Sequence, residues 1–305
     1  MVLIDSLRRA ADSDIWHSFR SSPMTMAAGA VALFIILASF LAPLIALQDP
    51  FDPANLNLSD AMLPPILFGG EWNFPMGSDD QGRDMYSAIL YGTRLSLEVG
   101  LAVVFVSMIL GIGLGLVAGY VGGTVDAVIM RIADVQLTFP AILIALLIDG
   151  VVRGVISVKR HDEIAIFVIV SSIALAFWVQ YARTVRGSVM VERNKEYVQA
   201  ARVIGLPRWL IMIRHVLPNV MGPVLVIATI NLGLAIITEA TLSFLGVGLP
   251  STQPSLGTLI RIGNEYLNSG EWWITIFPGA TLAALVLAVN LLGDWLRDAL
   301  NPKLR

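Results

Sequence analysis

Five stretches of this chain, Met24 to Leu47, Val99 to Val125, Ile164 to Ala182, Val220 to Thr238 and Trp272 to Gly293, contain no charged side chain. Each has about the 20 mainly apolar residues that a helix needs to cross a bilayer. Inside hydrocarbon a segment must satisfy its own backbone amides, and a helix does so alone. A sixth window, Val128 to Val152, is less clean: Arg131, Asp134 and Asp149 fall near its ends and Pro140 interrupts it. The alternative there is a re-entrant or interfacial segment; counted as a span, it brings the total to six. Composition agrees, since 56% of the 305 residues are hydrophobic, only 14% are charged and the mean hydropathy is +0.75. These values lie outside the soluble range, and the expected fold class is an all-α membrane protein with six transmembrane helices.

Lysine and arginine positions give the expected orientation. With the amino terminus inside, segments 1–23, 183–219 and 294–305 face the cytoplasm and hold thirteen basic residues. The outer segments hold six, and Arg131 lies within the third span. The outer loop carrying Arg153, Lys159 and Arg160 runs against this bias, yet the total places both termini in the cytoplasm. The first span follows Arg8, Arg9 and Arg20 but is 24 residues long, beyond the ~7–15 of a signal-peptide core, and so reads as an anchor.

Two regions are expected: residues 1–93, comprising the tail, the first span and an outward strap from Gln48 to about Arg94, and residues 94–305, a five-span core. The strap is rich in Pro, Asp, Asn and Gly and lacks strong periodicity, which predicts irregular structure. In the second span Gly111, Gly115 and Gly119 recur at four-residue spacing, a pattern for close helix packing. It is not a nucleotide loop, because the strand-turn-helix setting is absent.

Catalytic constellations are missing. None of the lysines, Lys159, Lys195 and Lys303, follows a glycine, so no G-x-x-x-x-G-K-[ST] phosphate loop exists. His17, His161 and His215 lie in separate segments without metal-ligand spacing, cysteine is absent, and no G-x-S-x-G occurs. The expectation is a non-enzyme with no metal and no cofactor in this chain. The mixed net charge of -3 argues against a nucleic-acid partner, whereas membrane lipid is implied by the spans. Among ionisable or polar groups near spans, Glu239 and Asn231 are candidates for a gate or pathway. Arg131 and Asp134 are expected to pair at their i, i+3 spacing.

The most informative polar stretch is residues 192–219, ERNKEYVQAARVIGLPRWLIMIRHVLPN. From Arg183 to Arg214 there are seven basic and two acidic side chains, so this segment cannot lie in hydrocarbon. Tyr197, Val198, Ala201 and Ile204 are expected on one helical face, Gly205 suits a left-handed cap, and Pro207 suits the first turn of a second helix. The residues alone predict a helical hairpin with a small-residue knob.

Ala200-Ala201-x3-Gly205 followed by His215-Val-Leu-Pro-Asn219 resembles the "EAA" loop of importer-type ABC permeases. Gln199 replaces the usual glutamate, while Glu196-Tyr-Val is similar to the peptide-permease version. Met76-Gly-Ser-Asp-Asp-Gln-Gly-Arg-Asp84, Thr238-Glu-Ala-Thr-Leu-Ser-Phe-Leu-Gly246 and the segment from Leu292 to Arg305 narrow the resemblance to the second permease subunit of the dipeptide, oligopeptide and nickel transporters. The resemblance implies a type I permease fold in which residues 192–219 supply a coupling helix. It implies that Glu196, Gln199, Ala200, Ala201, Gly205, Leu206, Pro207 and Arg208 contact an ATP-binding subunit. It further implies a homologous permease partner, two ATP-binding subunits holding ATP and magnesium, an extracytoplasmic solute-binding protein, and a bacterial inner membrane. The competing expectation is an ion-coupled carrier of small solutes, which would have no need of the hairpin.

Overall fold

The computed structural model describes residues 14–155 and 161–299. Arg8, Arg9, Lys159, Arg160, Lys303 and Arg305 of the orientation argument, and the last part of the carboxyl-terminal signature, lie outside them. The helices are α1 (Asp14–Ser21), α2 (Pro23–Phe40), α3 (Ala42–Ile45), α4 (Met85–Val121), α5 (Gly123–Leu137), α6 (Ala141–Val155), α7 (His161–Glu192), α8 (Glu196–Val203), α9 (Arg208–Ile211), α10 (Leu217–Phe244), α11 (Leu256–Tyr266) and α12 (Trp273–Ala299). Among the described residues the sole β contact is an isolated bridge between Ser78 and Asp84.

Five helices or continuous helical runs are long and apolar enough to cross a membrane: α2, α4, residues 164–192 of α7, Arg208–Phe244 and α12. The sixth window is two helices, α5 and α6, bent by 96° at the break around Thr138 to Pro140. Pro140 lacks an amide hydrogen and disfavours α geometry in the residue before it, which accounts for the break. The span count is therefore five, or six if the bent pair is taken as one crossing. The first apolar window is also shortened, because α2 stops at Phe40 and Pro43 lies at the start of the separate α3.

By compactness the chain divides into residues 14–98 with 239–299, and Val99–Thr238. In the first unit, α12 packs on α2 and α11, around a core that includes Met85, Ile89, Leu256, Leu259, Trp273 and Ile274. The strap consists of short 3-10 turns held by side chains. Asp79 accepts hydrogen bonds from the amides of Gln81 and Arg83, both at 2.9 Å, and pairs with the Arg83 Nε at 2.6 Å. Both side chains are almost wholly buried, and Arg83 also donates to the Ser251 carbonyl at 2.8 Å. Asp84 caps α4 by accepting from Ser87 N at 2.8 Å, and Ser87 Oγ receives the amides of Leu47 and Gln48. The 76–84 signature thus fastens the strap to the head of α4.

In the Val99–Thr238 unit, Gly111, Gly115 and Gly119 face Tyr181, Ala182, Val185 and Val189 of α7 so closely that a Cβ at position 119 would sit 2.8 Å from Val189 Cβ. This is the small-residue contact expected within membranes. The Gln136 side chain donates to the carbonyls of Leu175 and Ala176 and accepts from Trp178 Nε1 at 2.8 Å, joining α5 to α7. The expected Arg131–Asp134 pair does not form: Asp134 is paired with Arg183 of α7, and Asp126 with Arg186. Arginines reaching across from α7 outcompete the local i, i+3 partner.

Candidate coupling site

Residues 192–219 form the helical hairpin, within the Val99–Thr238 unit. Helix α8 closes with Leu206 N donating to Ala201 O (3.2 Å) and Gly205 N to Arg202 O (3.0 Å), with Gly205 at φ +84°. This paired closure needs a left-handed residue at the second position past the helix, where glycine is free of Cβ strain. Pro207 is extended and stands just before α9 rather than within its first turn.

From α9 the helix continues through a π-turn, Met212–Val216, into α10. Pro218 has no amide hydrogen for the Arg214 carbonyl four residues earlier, so a widened turn at this point suits the sequence. Asn219 Nδ2 donates to the His215 carbonyl at 2.7 Å and to the Tyr197 hydroxyl at 3.2 Å. The Tyr197 hydroxyl in turn donates to Glu192, which also pairs with Lys195 at 3.0 Å. Burial first, and the Glu192 carboxylate next, push the Tyr197 phenol up to about 12. The Glu-Tyr-Val and His-Val-Leu-Pro-Asn segments thus meet through Tyr197 and Asn219. A third tie comes from Arg193, whose Nη1 donates to the Gly119 carbonyl at the end of α4 at 2.7 Å.

The hairpin has a buried side and an exposed one. Val198 and Ala201 are buried in a cluster with Tyr120, Tyr181, Ile211 and Val216, and Leu206 packs against it. Glu196, Gln199, Ala200, Pro207 and Arg208 are exposed, with Gln199 Nε2 turned back onto the Asn194 carbonyl at 2.9 Å. Of the two adjacent alanines, therefore, Ala201 serves the hairpin's own packing and Ala200 faces out. Ile204 departs from the expected common face: α8 stops at Val203, and Ile204 is 77% exposed. With Val203 (89%) and Trp209 (63%) it makes an apolar tip, which the sequence reading did not single out. The contacts of Glu192, Arg193 and Asn219 could likewise not be read from the sequence, because their partners are set by tertiary structure.

The two pathway candidates are fully buried. Glu239, in the unit of residues 14–98 and 239–299, accepts from Ser96 Oγ at 2.9 Å and Ser243 Oγ at 2.7 Å. Ser96 Oγ also receives Leu256 N, so the carboxylate ties the head of α4 to the start of α11. Asn231, in the Val99–Thr238 unit, neighbours the Tyr181 hydroxyl, as does Ser107, but neither Asn231 nor Tyr181 closes a hydrogen bond of normal geometry.

A multi-span helical bundle with an exposed helical hairpin between two spans has the architecture of a membrane permease subunit. The chain belongs to the family of binding-protein-dependent transport system inner membrane components, whose model matches residues 111–305. Residues 13–65 match the N-terminal TM domain of oligopeptide transport permease C. The dipeptide transport system permease protein DppC of Haemophilus influenzae is 36% identical over 293 residues, 96% of this chain and 95% of that protein. The oligopeptide transport system permease protein OppC of Bacillus subtilis is 33% identical, over 96% of this chain and 90% of its own. The glutathione transport system permease protein GsiD of Pectobacterium atrosepticum is 35% identical, over 100% and 95%. A chain from inward-facing structures of the MetNI methionine ABC transporter has a TM-score of 0.55 at 18% identity, covering 71% of this chain and 97% of that one. The fold is accordingly that of a type I ABC importer permease. The chain is a multi-pass inner-membrane subunit of such a transport system, and ATP hydrolysis belongs to partner subunits.

Proposed function

We propose that this chain forms half of the translocation path of an ATP-driven importer for peptides, a substrate class carried over from its relatives' names. A homologous permease supplies the other half. Two ATP-binding subunits dock at the cytoplasmic face, and an extracytoplasmic binding protein delivers the solute. Both termini are cytoplasmic. The docking element is the exposed side of the hairpin, comprising Glu196, Gln199, Ala200, Gly205, Pro207 and Arg208, with Ala201 and Leu206 setting its shape from below.

The observation that carries this reading is the exposed apolar tip of Val203, Ile204 and Trp209 on an otherwise basic hairpin. Such a group is costly in water and suits a protein groove. The hairpin's ties to α4 (through Arg193), to α7 (through Glu192) and to α10 (through Asn219) make it a lever. Closing of the ATP-bound pair displaces the lever and, with it, three helices. The two transport states then differ in free energy by the differential affinity for ATP, as alternating access requires. Glu239 holds a helix junction at one end of the path, and Asn231 lies beside the path.

The test is reconstitution of the chain with its permease, ATP-binding and solute-binding partners in liposomes. Peptide uptake is expected to need ATP and the binding protein, and to vanish on Ile204→Asp. Uptake by this chain without ATP, driven by an imposed ion gradient, would establish the carrier reading in its place.

A further inference from the structure

Three wholly buried polar side chains, Ser107 of α4, Tyr181 of α7 and Asn231 of α10, come together inside the Val99–Thr238 unit. Tyr181 belongs to the apolar cluster beneath the hairpin, on which Met108, next to Ser107, and Ile227 and Ala228, one turn before Asn231, also pack. These are the three helices whose ends the hairpin ties through Arg193, Glu192 and Asn219. Their hydrogen-bonding capacity is not met within the chain. The Tyr181 hydroxyl and both Asn231 Oδ1 and Nδ2 have no partner. Ser107 Oγ donates to the Val103 carbonyl at 2.7 Å, which engages its proton and leaves its oxygen able to accept. Ser172, whose hydroxyl is also unpartnered, stands nine residues before Tyr181, about 13 Å along α7, and lies apart.

All three positions fall within the uncharged windows Val99 to Val125, Ile164 to Ala182 and Val220 to Thr238, where an unpaired amide or hydroxyl is costly. Full burial excludes a transported solute as the missing partner. A metal cation would lack a counter-charge, since no Asp or Glu lies within seven residues of any of the three on its own helix and Asp134, the α5 carboxylate turned to α7, is paired with Arg183. An anion would lack one too, because the nearby Arg183 and Arg186 are held by Asp134 and Asp126. Water both donates and accepts, as this set of groups requires. We infer that a bound water bridges α4, α7 and α10 here, accepting from the Tyr181 hydroxyl and donating to the Asn231 amide oxygen and to Ser107 Oγ. Three such bonds are usual for a buried water. The helices tied together at the hairpin are thus joined a second time within the bilayer, through a water. The site requires neither the coupling role nor any particular solute.

The experiment is X-ray hydroxyl-radical footprinting of the purified full-length chain in lipid nanodiscs, read by mass spectrometry. Radicals form from water in place, so a tyrosine closed to solvent is oxidised only where a water touches it. Oxidation of Tyr181 is expected. It should fall about tenfold in Asn231→Leu and about threefold in Ser107→Ala, as for removal of a stronger and a weaker hydrogen bond to the water, with oxidation elsewhere unchanged. Tyr181→Phe keeps the ring and gives an independent reading: loss of a satisfied hydroxyl lowers the melting temperature, whereas loss of a stranded one raises it. Should Asn231→Leu fold poorly, Ser107→Ala and Tyr181→Phe still decide. An unoxidised Tyr181, which would mean a direct Tyr181–Asn231 bond or a dry joint, overturns the inference. So does oxidation unchanged by Asn231→Leu and Ser107→Ala, or a raised melting temperature for Tyr181→Phe.

Discussion

Replacing Tyr197 by Phe isolates the hydroxyl that fastens the hairpin. The side chain keeps its ring, so the change removes one hydrogen bond to the Glu192 carboxylate and one acceptor for Asn219. A hydrogen bond to a charged group contributes about 1.5–3 kcal/mol. Tyr197 is 38% exposed, which argues for the lower end of that range. About 1.4 kcal/mol is tenfold in a local opening equilibrium, so amides of α8 should exchange with deuterium about ten times faster in the variant, while those in the middle of α7 are unchanged. The pH dependence has a definite sign. With the folded phenol pushed up from 10.0 to about 12, the tie is fully present below pH 10 and is lost as pH rises towards about 12. A difference titration of wild type minus Tyr197→Phe should show one phenol ionising near 12. If α8 exchange rises less than threefold at neutral pH, or if that phenol titrates near 10, the hairpin is not held by this network.

The two adjacent alanines should respond differently: Ala200→Asp should leave the melting temperature unchanged and prevent co-purification of ATP-binding subunits, whereas Ala201→Leu should destabilise the chain by about 1–3 kcal/mol through overpacking. Equal melting temperatures for both would contradict the burial of Ala201. In the strap, Asp79→Leu or Arg83→Met alone should each cost about 3–5 kcal/mol by stranding a buried charge, while the double variant costs less than either; denaturation of the three variants checks the order. Gly115→Val puts side-chain atoms against the Ala182 backbone and should separate α4 from α7, read as loss of a cysteine cross-link engineered between the two helices.

The spans are legible because hydrocarbon excludes charge over a fixed length, a constraint on composition rather than on any one residue. Their ends are less so. Helix α4 starts at Met85, well before the uncharged window, because Arg94 and Glu98 pair with each other at 2.9 Å on its flank and the helix continues past them. The bend at Pro140 was legible as an interruption, but its 96° angle depends on how α6 packs on α7. In the hairpin, Gly205 could be read directly, since the left-handed cap is a local requirement. The inward turn of Ala201 could not, because two neighbouring alanines are equivalent until a core is present. The same holds for Asp134, whose true partner lies 49 residues away on α7.

The family signatures therefore separate by physical role. The 76–84 segment and the Glu239 segment bury charges or carboxylates against backbone amides, serine hydroxyls and an arginine, and those groups are consumed by the fold. The hairpin does the reverse. Its internal bonds go to three helix ends, and its apolar tip and the Arg208 side chain stay exposed. A segment tied down at its base with an exposed apolar tip suits the docking role proposed for it.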